Sequence, residues 1–286
     1  MPLKKLSFLQ ALLMGAALVI ILFPIFWIIM TAIKPPVDWN ASPAIWVPSE
    51  PTLINFQTLF DGDAMRKYGV GGVSQDATMA VFGSILASII STALSVAIGL
   101  FSAIGISRYG NGGKATPLII LSGRMFPPAA IAVPFVIIFS KVGLIDSYAG
   151  LIAIYVAVTL PFSTWMLKSF VDDIPREIEE AAMIDGRSRL MAHFTVTIPL
   201  IRGGLFATTM FIFILNWSEF MFALVLSYTN ISTIPVQLAK YVTATAGTLY
   251  GVQAALAVLA MLPLIFAGYK IQSHLARGMT FGAIKR

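Results

Sequence analysis

Four stretches of this chain carry no charged side chain: residues 6–33, 77–107, 147–167 and 241–269. An α-helix needs about 20 mainly apolar residues to cross the hydrocarbon core of a bilayer, and each stretch is long enough. Inside that core every backbone polar group must be satisfied within the segment, so each crossing has to be a helix. Two further segments, roughly 116–140 and 203–228, have the same character but contain one charge each, Arg124 and Glu219. The pattern predicts an all-α polytopic membrane protein, a single domain over residues 1–286. Its six transmembrane spans fall near 7–33, 78–106, 116–140, 147–170, 203–228 and 250–273.

Composition agrees. The chain is 58% hydrophobic, with a mean hydropathy of +0.86, against an apolar share of about 45–50% in soluble domains. Lys4 and Lys5 ahead of the first span resemble the start of a secretory signal. The uncharged run of 28 residues that follows exceeds the roughly 7–15 residues of a signal's apolar core, so an uncleaved first span is expected. The absence of cysteine excludes a disulfide framework and a thiolate metal site. The net charge of +6 comes from residues scattered along the chain, not striped on one face, and gives no reason to expect nucleic acid.

Lysine and arginine set the orientation, because cytoplasmic loops retain them. With both termini inside, the cytoplasmic set is Lys4, Lys5, Arg108, Lys114, Lys168, Arg176, Arg187, Arg189, Arg202, Lys270, Arg277, Lys285 and Arg286. The outer set is Lys34, Arg66, Lys67, Lys141 and Lys240. Thirteen against five places both ends in the cytoplasm. The loop 34–76 is then extracytoplasmic, with a short amphipathic surface helix expected near Asn55–Phe60 and a solvated loop after it. Pro24, Pro127, Pro128, Pro134, Pro161 and Pro263 fall inside predicted spans. Each removes a backbone donor, and the three in the third span predict a distorted helix lining a pathway.

Against this apolar background the segment EEAAMIDGRSRL, residues 179–190, is out of place. It lies in the cytoplasmic loop 172–202 between the fourth and fifth spans. Pro175 suits a helix start, Glu177, Glu179 and Glu180 complement the positive end of the helix dipole, and Gly186 supplies the left-handed residue that commonly ends a helix. A short helix over 175–185 follows, with Ile178, Ala181, Ala182 and Asp185 on one face by three/four spacing. Small alanines, one apolar anchor and one acceptor suit a protein groove. An acidic helix beside an anionic lipid leaflet does not.

Glu180-Ala181-Ala182-x-x-Asp185-Gly186, followed by Ile198-Pro199-Leu200, resembles the EAA loop of bacterial ATP-binding-cassette importer permeases. The resemblance covers nearly the whole chain and is closest to the maltose/oligosaccharide-type carbohydrate-uptake subfamily. It is carried by Phe23-Pro24-Ile25-Phe26-Trp27 with Lys34-Pro35, by Pro51-Thr52-Leu53-Ile54-Asn55-Phe56, and by Gly143-Leu144-Ile145-Asp146-Ser147. Further matches are Leu160-Pro161-Phe162, the run from Asn216-Trp217-Ser218-Glu219 to Leu224, and the tail from Arg277 to Lys285. His193 stands where the family usually has an aromatic, with Phe194 one place later, and Gly203 where a second proline is frequent.

What the resemblance implies is a non-catalytic transport subunit in the bacterial cell membrane. It would pair with a homologous second permease, two copies of a cytoplasmic ATPase subunit and an extracytoplasmic sugar-binding protein. ATP and Mg would be bound by the ATPase partners and no cofactor by this chain. The coupling residues would be Ile178, Glu180, Ala181, Ala182, Asp185 and Gly186, joined by Thr280 and Lys285 of the tail. The chain's own residues agree that the energy comes from elsewhere. A phosphate-binding loop needs G-x-x-x-x-G-K-[ST]. Arg108-Tyr109-Gly110-Asn111-Gly112-Gly113-Lys114-Ala115 lacks its first glycine and its hydroxyl.

For a sugar path the candidates are Asn216 and Glu219 with Trp217 and Phe220 beside them, and Arg124 in the third span. Arg124 has an alternative structural role, pairing with Glu219 or capping carbonyls freed near Pro127 and Pro128. His193 and His274 stand alone, outside any metal-binding pattern. An ion-coupled carrier would need acidic residues near mid-membrane, where Glu219 is the one acidic residue in a predicted span. An intramembrane enzyme would need a serine–histidine or metal constellation, and none is visible.

Overall fold

Each of the four long uncharged runs contributes a long helix. The computed structural model describes residues 7–61, 64–65, 76–110, 112–113, 115–122, 127–243 and 247–282. Helix α1 spans Phe8–Ala32, opened by a reciprocal cap between Ser7 and Gln10. A 3₁₀ turn at Pro36–Asp38 and the short α2, Ile54–Thr58, follow. The long α3 spans Thr78–Tyr109. Then come α4, Thr116–Ser122, α5, Pro128–Lys141, and α6, Tyr148–Asp172. Next are α7, Arg176–Ile184, α8, Arg189–Ala192, a π-helical turn at His193–Thr197, and α9, Ile198–Leu200. The chain ends with α10, Arg202–Trp217, α11, Met221–Leu226, α12, Ile234–Lys240, and α13, Tyr250–Gly282. The only strands among the described residues are the two-residue pair Val242–Thr243 and Gly247–Thr248, joined antiparallel.

Among the described residues four helices are long and apolar enough to cross a membrane: α1, α3, α6 and the first 22 residues of α13. A fifth crossing is available if the segment Arg189–Leu200 and α10, bent by 76° at their junction, make one span. Two of the expected spans are not continuous helices. The third divides into α4 and α5, and Pro127 and Pro128 explain where α5 begins: Pro127 is extended at its N-cap and Pro128 opens it. The fifth stops at Trp217 and restarts at Met221.

The chain divides into two compact units, Met1–Thr78 with Gln237–Leu262, and Met79–Val236 with Pro263–Arg286. In the first, α2 does not lie free on a surface. Ile54, Asn55, Thr58 and Leu59 are buried, and the Asn55 amide donates to the carbonyls of Ala32 and Lys34 at 2.8 Å each. It thus serves carbonyls at the end of α1 that have no partner within the helix. The loop expected after α2 lies largely outside the described residues.

In the second unit α3 packs along α6 through a ladder of small residues. Gly83, Ala87, Ser91, Ser95, Gly99 and Ala103 recur every fourth position, and all are buried. Small side chains let membrane helices approach closely, where packing and hydrogen bonds supply the attraction that lipid does not. A Cβ on Gly99 would stand 2.4 Å from the Ser163 hydroxyl. Ser95 and Thr159 share a 2.8 Å hydrogen bond on the same seam. Two apolar clusters flank it. One gathers Phe139, Leu151, Ile154, Tyr155, Phe222 and Leu226; the other gathers Val96, Leu100, Ile104, Leu167, Val171 and Ile212.

Candidate functional site

The charged insert folds as its caps require. Pro175 stands at the N-cap of α7, Glu177 and Glu179 occupy the first turn, and Asp185 is the C-cap. Gly186 has φ +87°, which L-residues with a Cβ adopt only at a penalty. Its N–H donates to Met183 at 3.0 Å and the Arg187 N–H to Ala182 at 3.2 Å, the paired bonds of a Schellman ending. Nothing lies within 4 Å of where a Cβ would be, so glycine is required here by backbone conformation alone.

The face that α7 leaves free differs from the expected one. Ile178, Glu180, Ala181 and Asp185 are exposed, but Ala182 is turned inward at 8% exposure and Ile184 projects outward at 86%. The free surface is therefore rotated toward Ile184 and Glu177. What turns it is Glu179, the neighbour of the motif's first residue. Its carboxylate accepts from Arg108 Nε at 2.8 Å and from the Thr197 hydroxyl at 2.7 Å. The Arg108 and Glu179 side chains are only 6% and 8% exposed. Removing one member of such a buried pair typically costs about 3–5 kcal/mol, because the other charge is left uncompensated.

His193, outside any metal pattern, belongs to the same network. Its Nε2 lies 2.8 Å from the Tyr109 hydroxyl and its Nδ1 3.3 Å from Thr197 Oγ1. Thr197 gives its single proton to Glu179, so its oxygen accepts from the imidazole. Neutral His193 then carries its proton on Nδ1 and accepts from Tyr109 at Nε2. The π-helical turn adds one residue to the ordinary winding between His193 and Thr197. Phe194, half exposed one place beyond the expected aromatic position, packs edge-on against Phe101.

Glu179, Arg108, Tyr109, Thr197 and Ile184 were not singled out as site residues from the sequence. A signal was present for the first of them. Adjacent residues on a helix point about 100° apart, so Glu179 and Glu180 cannot both belong to one narrow free face.

The sugar-path candidates separate in space. Asn216 is 3% exposed and its amide donates to Thr92 on α3 at 3.1 Å. Glu219 places its two carboxylate oxygens on the backbone N–H groups of Phe222 and Ala223, at 3.0 and 3.1 Å. It thereby caps α11, a negative charge at a helix start, and accounts for the break in the fifth span. Trp217 is buried and packs on Phe213 with ring centroids 5.6 Å apart. Phe220 is half exposed. Arg124 and Lys285 lie outside the described residues, and Thr280 is on the last turns of α13. Among the described residues no group of three or more acidic or histidine side chains is placed to hold a metal ion.

Comparison with known proteins supplies the frame. Residues 95–281 match the family described as "Binding-protein-dependent transport system inner membrane component". The chain is 32% identical over 266 residues to the sulfoquinovosyl glycerol transport system permease protein SmoH of Agrobacterium fabrum, covering 92% of this chain and 89% of that one. It is 30% identical over 278 residues to the trehalose/maltose transport system permease protein MalG of Thermococcus litoralis, covering 96% of each. Its fold resembles a chain from the crystal structure of a bacterial ABC transporter involved in the import of the acidic polysaccharide alginate. The TM-score is 0.73 at 19% identity, over 93% of this chain and 94% of that one.

Proposed function

Because the chain belongs to the family of binding-protein-dependent transport system inner membrane components, a family of non-catalytic transport subunits, we propose that it carries a sugar or oligosaccharide inward as one of two paired permeases. The second permease is homologous, and the pathway runs between the two. Two copies of a cytoplasmic ATPase subunit bind and hydrolyse ATP with Mg. An extracytoplasmic sugar-binding protein delivers the solute to the outer loops. In this reading the chain crosses the membrane six times as one permease domain with both termini inside.

The observation that carries the coupling part of this reading is α7. It is a Schellman-terminated helix whose free face holds Ile178, Ala181, Ile184, Glu180 and Asp185. Asp185 stands at the negative end of the helix dipole, where a carboxylate is unfavourable by roughly 0.3–1 kcal/mol. Helix stability is therefore not its reason for being there, and a donor on the ATPase subunit is. Ala182, on the inner face, sets how closely α7 seats on the bundle, while Thr280 and Lys285 extend the contact from the tail. Among the described residues Phe220 is the path candidate with most free surface, Asn216, Trp217 and Glu219 support the wall behind it, and Arg124 is the remaining path candidate.

Reconstitution tests the reading. In liposomes holding the assembled complex with its binding protein, ATP hydrolysis should rise when a cognate saccharide, polyol or glycerol phosphate is added, with uptake in step. The reading fails if the purified chain alone moves solute down an ion gradient with no ATPase subunit present, since that behaviour belongs to an ion-coupled carrier.

A further inference from the structure

The last turn of α3 grips the coupling segment at four points. Arg108 Nε donates to Glu179 at 2.8 Å and its Nη2 to the Ile174 carbonyl at 3.1 Å. Arg176 Nη2 donates to the Ser107 carbonyl at 2.8 Å. The Tyr109 hydroxyl meets His193 at 2.8 Å. Three consecutive residues of α3 thus hold Ile174 just ahead of α7, both ends of its first turn, and the π-helical turn that follows it. Helix α3 has no chain connection to any of these; Arg108 and Glu179 are 71 residues apart.

The two covalent exits from α7 are less direct. Toward α10 the chain passes the Gly186 turn, the π-helical turn and a 76° bend. Toward α6 it passes the non-helical residues Asp173, Ile174 and Pro175. Helix α7 packs on α8 and the π-helical turn, but not without a gap. A cleft of about 190 Å³ lies behind it, bordered by Arg108, Arg176, Glu179, Met183, Arg189 and His193. A helix beside a cleft moves its neighbours through the contacts that cross it, and among those to α3 the ion pair joins two buried side chains.

We propose that Glu179 and Arg108 are positioning residues of the transport stroke: their ion pair clamps α7 to α3, so that displacement of the free face of α7 moves α3 directly. This rests on the coupling role proposed above. It makes α3 a driven element and not a passive wall. The pair is charged and also hydrogen-bonded to Thr197 and to Ile174, which fixes direction as well as distance.

The test is the number of solute molecules imported per ATP hydrolysed, in liposomes holding the full complex. Glu179→Gln keeps the shape and removes the charge. It should lower that ratio at least tenfold while hydrolysis continues. The chain contains no cysteine, so Arg108→Cys with Glu179→Cys can be introduced in a complex whose other subunits carry no reactive thiol. Unbridged, this pair should be uncoupled; joined by a short bifunctional thiol reagent, it should return to within about twofold of the parent ratio. A purely stabilising role would instead lower the amount of complex and leave the ratio unchanged. If Glu179→Gln fails to assemble, the two-cysteine chain bridged in the membrane decides by the same ratio. Parent-like ratios in Glu179→Gln and in the unbridged pair, or a ratio that stays low after bridging, overturn the proposal. Asp185→Ala, measured alongside, separates the two claims. If it is uncoupled while the Glu179 variants are not, the clamp fails and the docking face stands. If it too is fully coupled, the docking reading itself fails.

Discussion

Gly186→Pro is expected to abolish solute uptake while the chain remains in the membrane. Proline holds φ near −65°, whereas Gly186 requires +87°. The substitution also removes the N–H that meets Met183 at 3.0 Å. Either defect alone unwinds the end of α7, and together they amount to about 3 kcal/mol or more of local destabilisation. The helices that carry the chain across the bilayer do not depend on this turn. Asp185→Ala separates docking from folding. Taking a carboxylate away from a helix C-terminus relieves about 0.3–1 kcal/mol of unfavourable dipole interaction, so α7 should be at least as stable as before. Transport should nevertheless be lost, together with stimulation of ATP hydrolysis by the loaded binding protein. Uptake and stimulated hydrolysis in vesicles measure both. Normal transport in both variants would remove α7 from the mechanism.

Asp146→Ala should release the loop that follows α11. Asp146 lies in the turn between α5 and α6 at φ 53°, and its own N–H donates to the Leu226 carbonyl at 2.9 Å. Its carboxylate accepts from the backbone N–H groups of Tyr228, Thr229, Asn230 and Ile231 and from the Thr229 hydroxyl, at 2.9 to 3.3 Å. Partial desolvation raises its pKa, but the backbone bonds from Tyr228, Asn230 and Thr229 and the Thr229 hydroxyl outweigh this. The carboxyl is left well below the usual range. A carboxylate with a depressed folded-state pKa contributes stability that is fully present above its unfolded value, about 3.9. That contribution is lost as the pH falls from there through the lower folded value. Because the site is open to water, the loss in Asp146→Ala should be about 1–2 kcal/mol, not the sum of five charged hydrogen bonds. Thermal unfolding in detergent should show the parent losing stability below about pH 4 and the variant lacking that part of the decline. Identical acid profiles would contradict the assignment.

The placement of helices was legible because charge is so scarce in this chain. Each of the four longest uncharged runs, 6–33, 77–107, 147–167 and 241–269, contributed a long helix, as the energetics of unpaired backbone in lipid demand. Helix α7 was legible too, from proline, three glutamates and a glycine in the order that caps a short helix. The prolines marked the third span as distorted, and the distortion takes the form of a break: Pro127 is extended and Pro128 opens α5.

What the sequence concealed are pairings across long separations. Glu219 looked like a carboxylate exposed to a pathway, because an acid inside a span usually faces a cavity or a partner. Its partners are backbone N–H groups three and four residues on, and no periodicity separates that from a functional acid. The orientation of α7 was hidden for a related reason. Hydrophobicity favoured a face centred on Ile178, Ala181 and Ala182, but the helix is turned by a polar contact to Arg108 in a different helix. A buried glutamate outvotes a buried isoleucine when its arginine is already in place, since leaving that arginine unpaired is the larger penalty.

The central claim is that the free face of α7 sits on a separate ATPase subunit while the transporter works. A photoreactive amino acid at position 184, the more exposed of the two isoleucines on that face, tests it most directly when the assembled complex is irradiated in membranes with and without nucleotide. The account predicts adducts to the ATPase subunit whose yield changes with nucleotide state. Adducts to lipid alone, or a yield to the ATPase no greater than from a control position on α1, would contradict it.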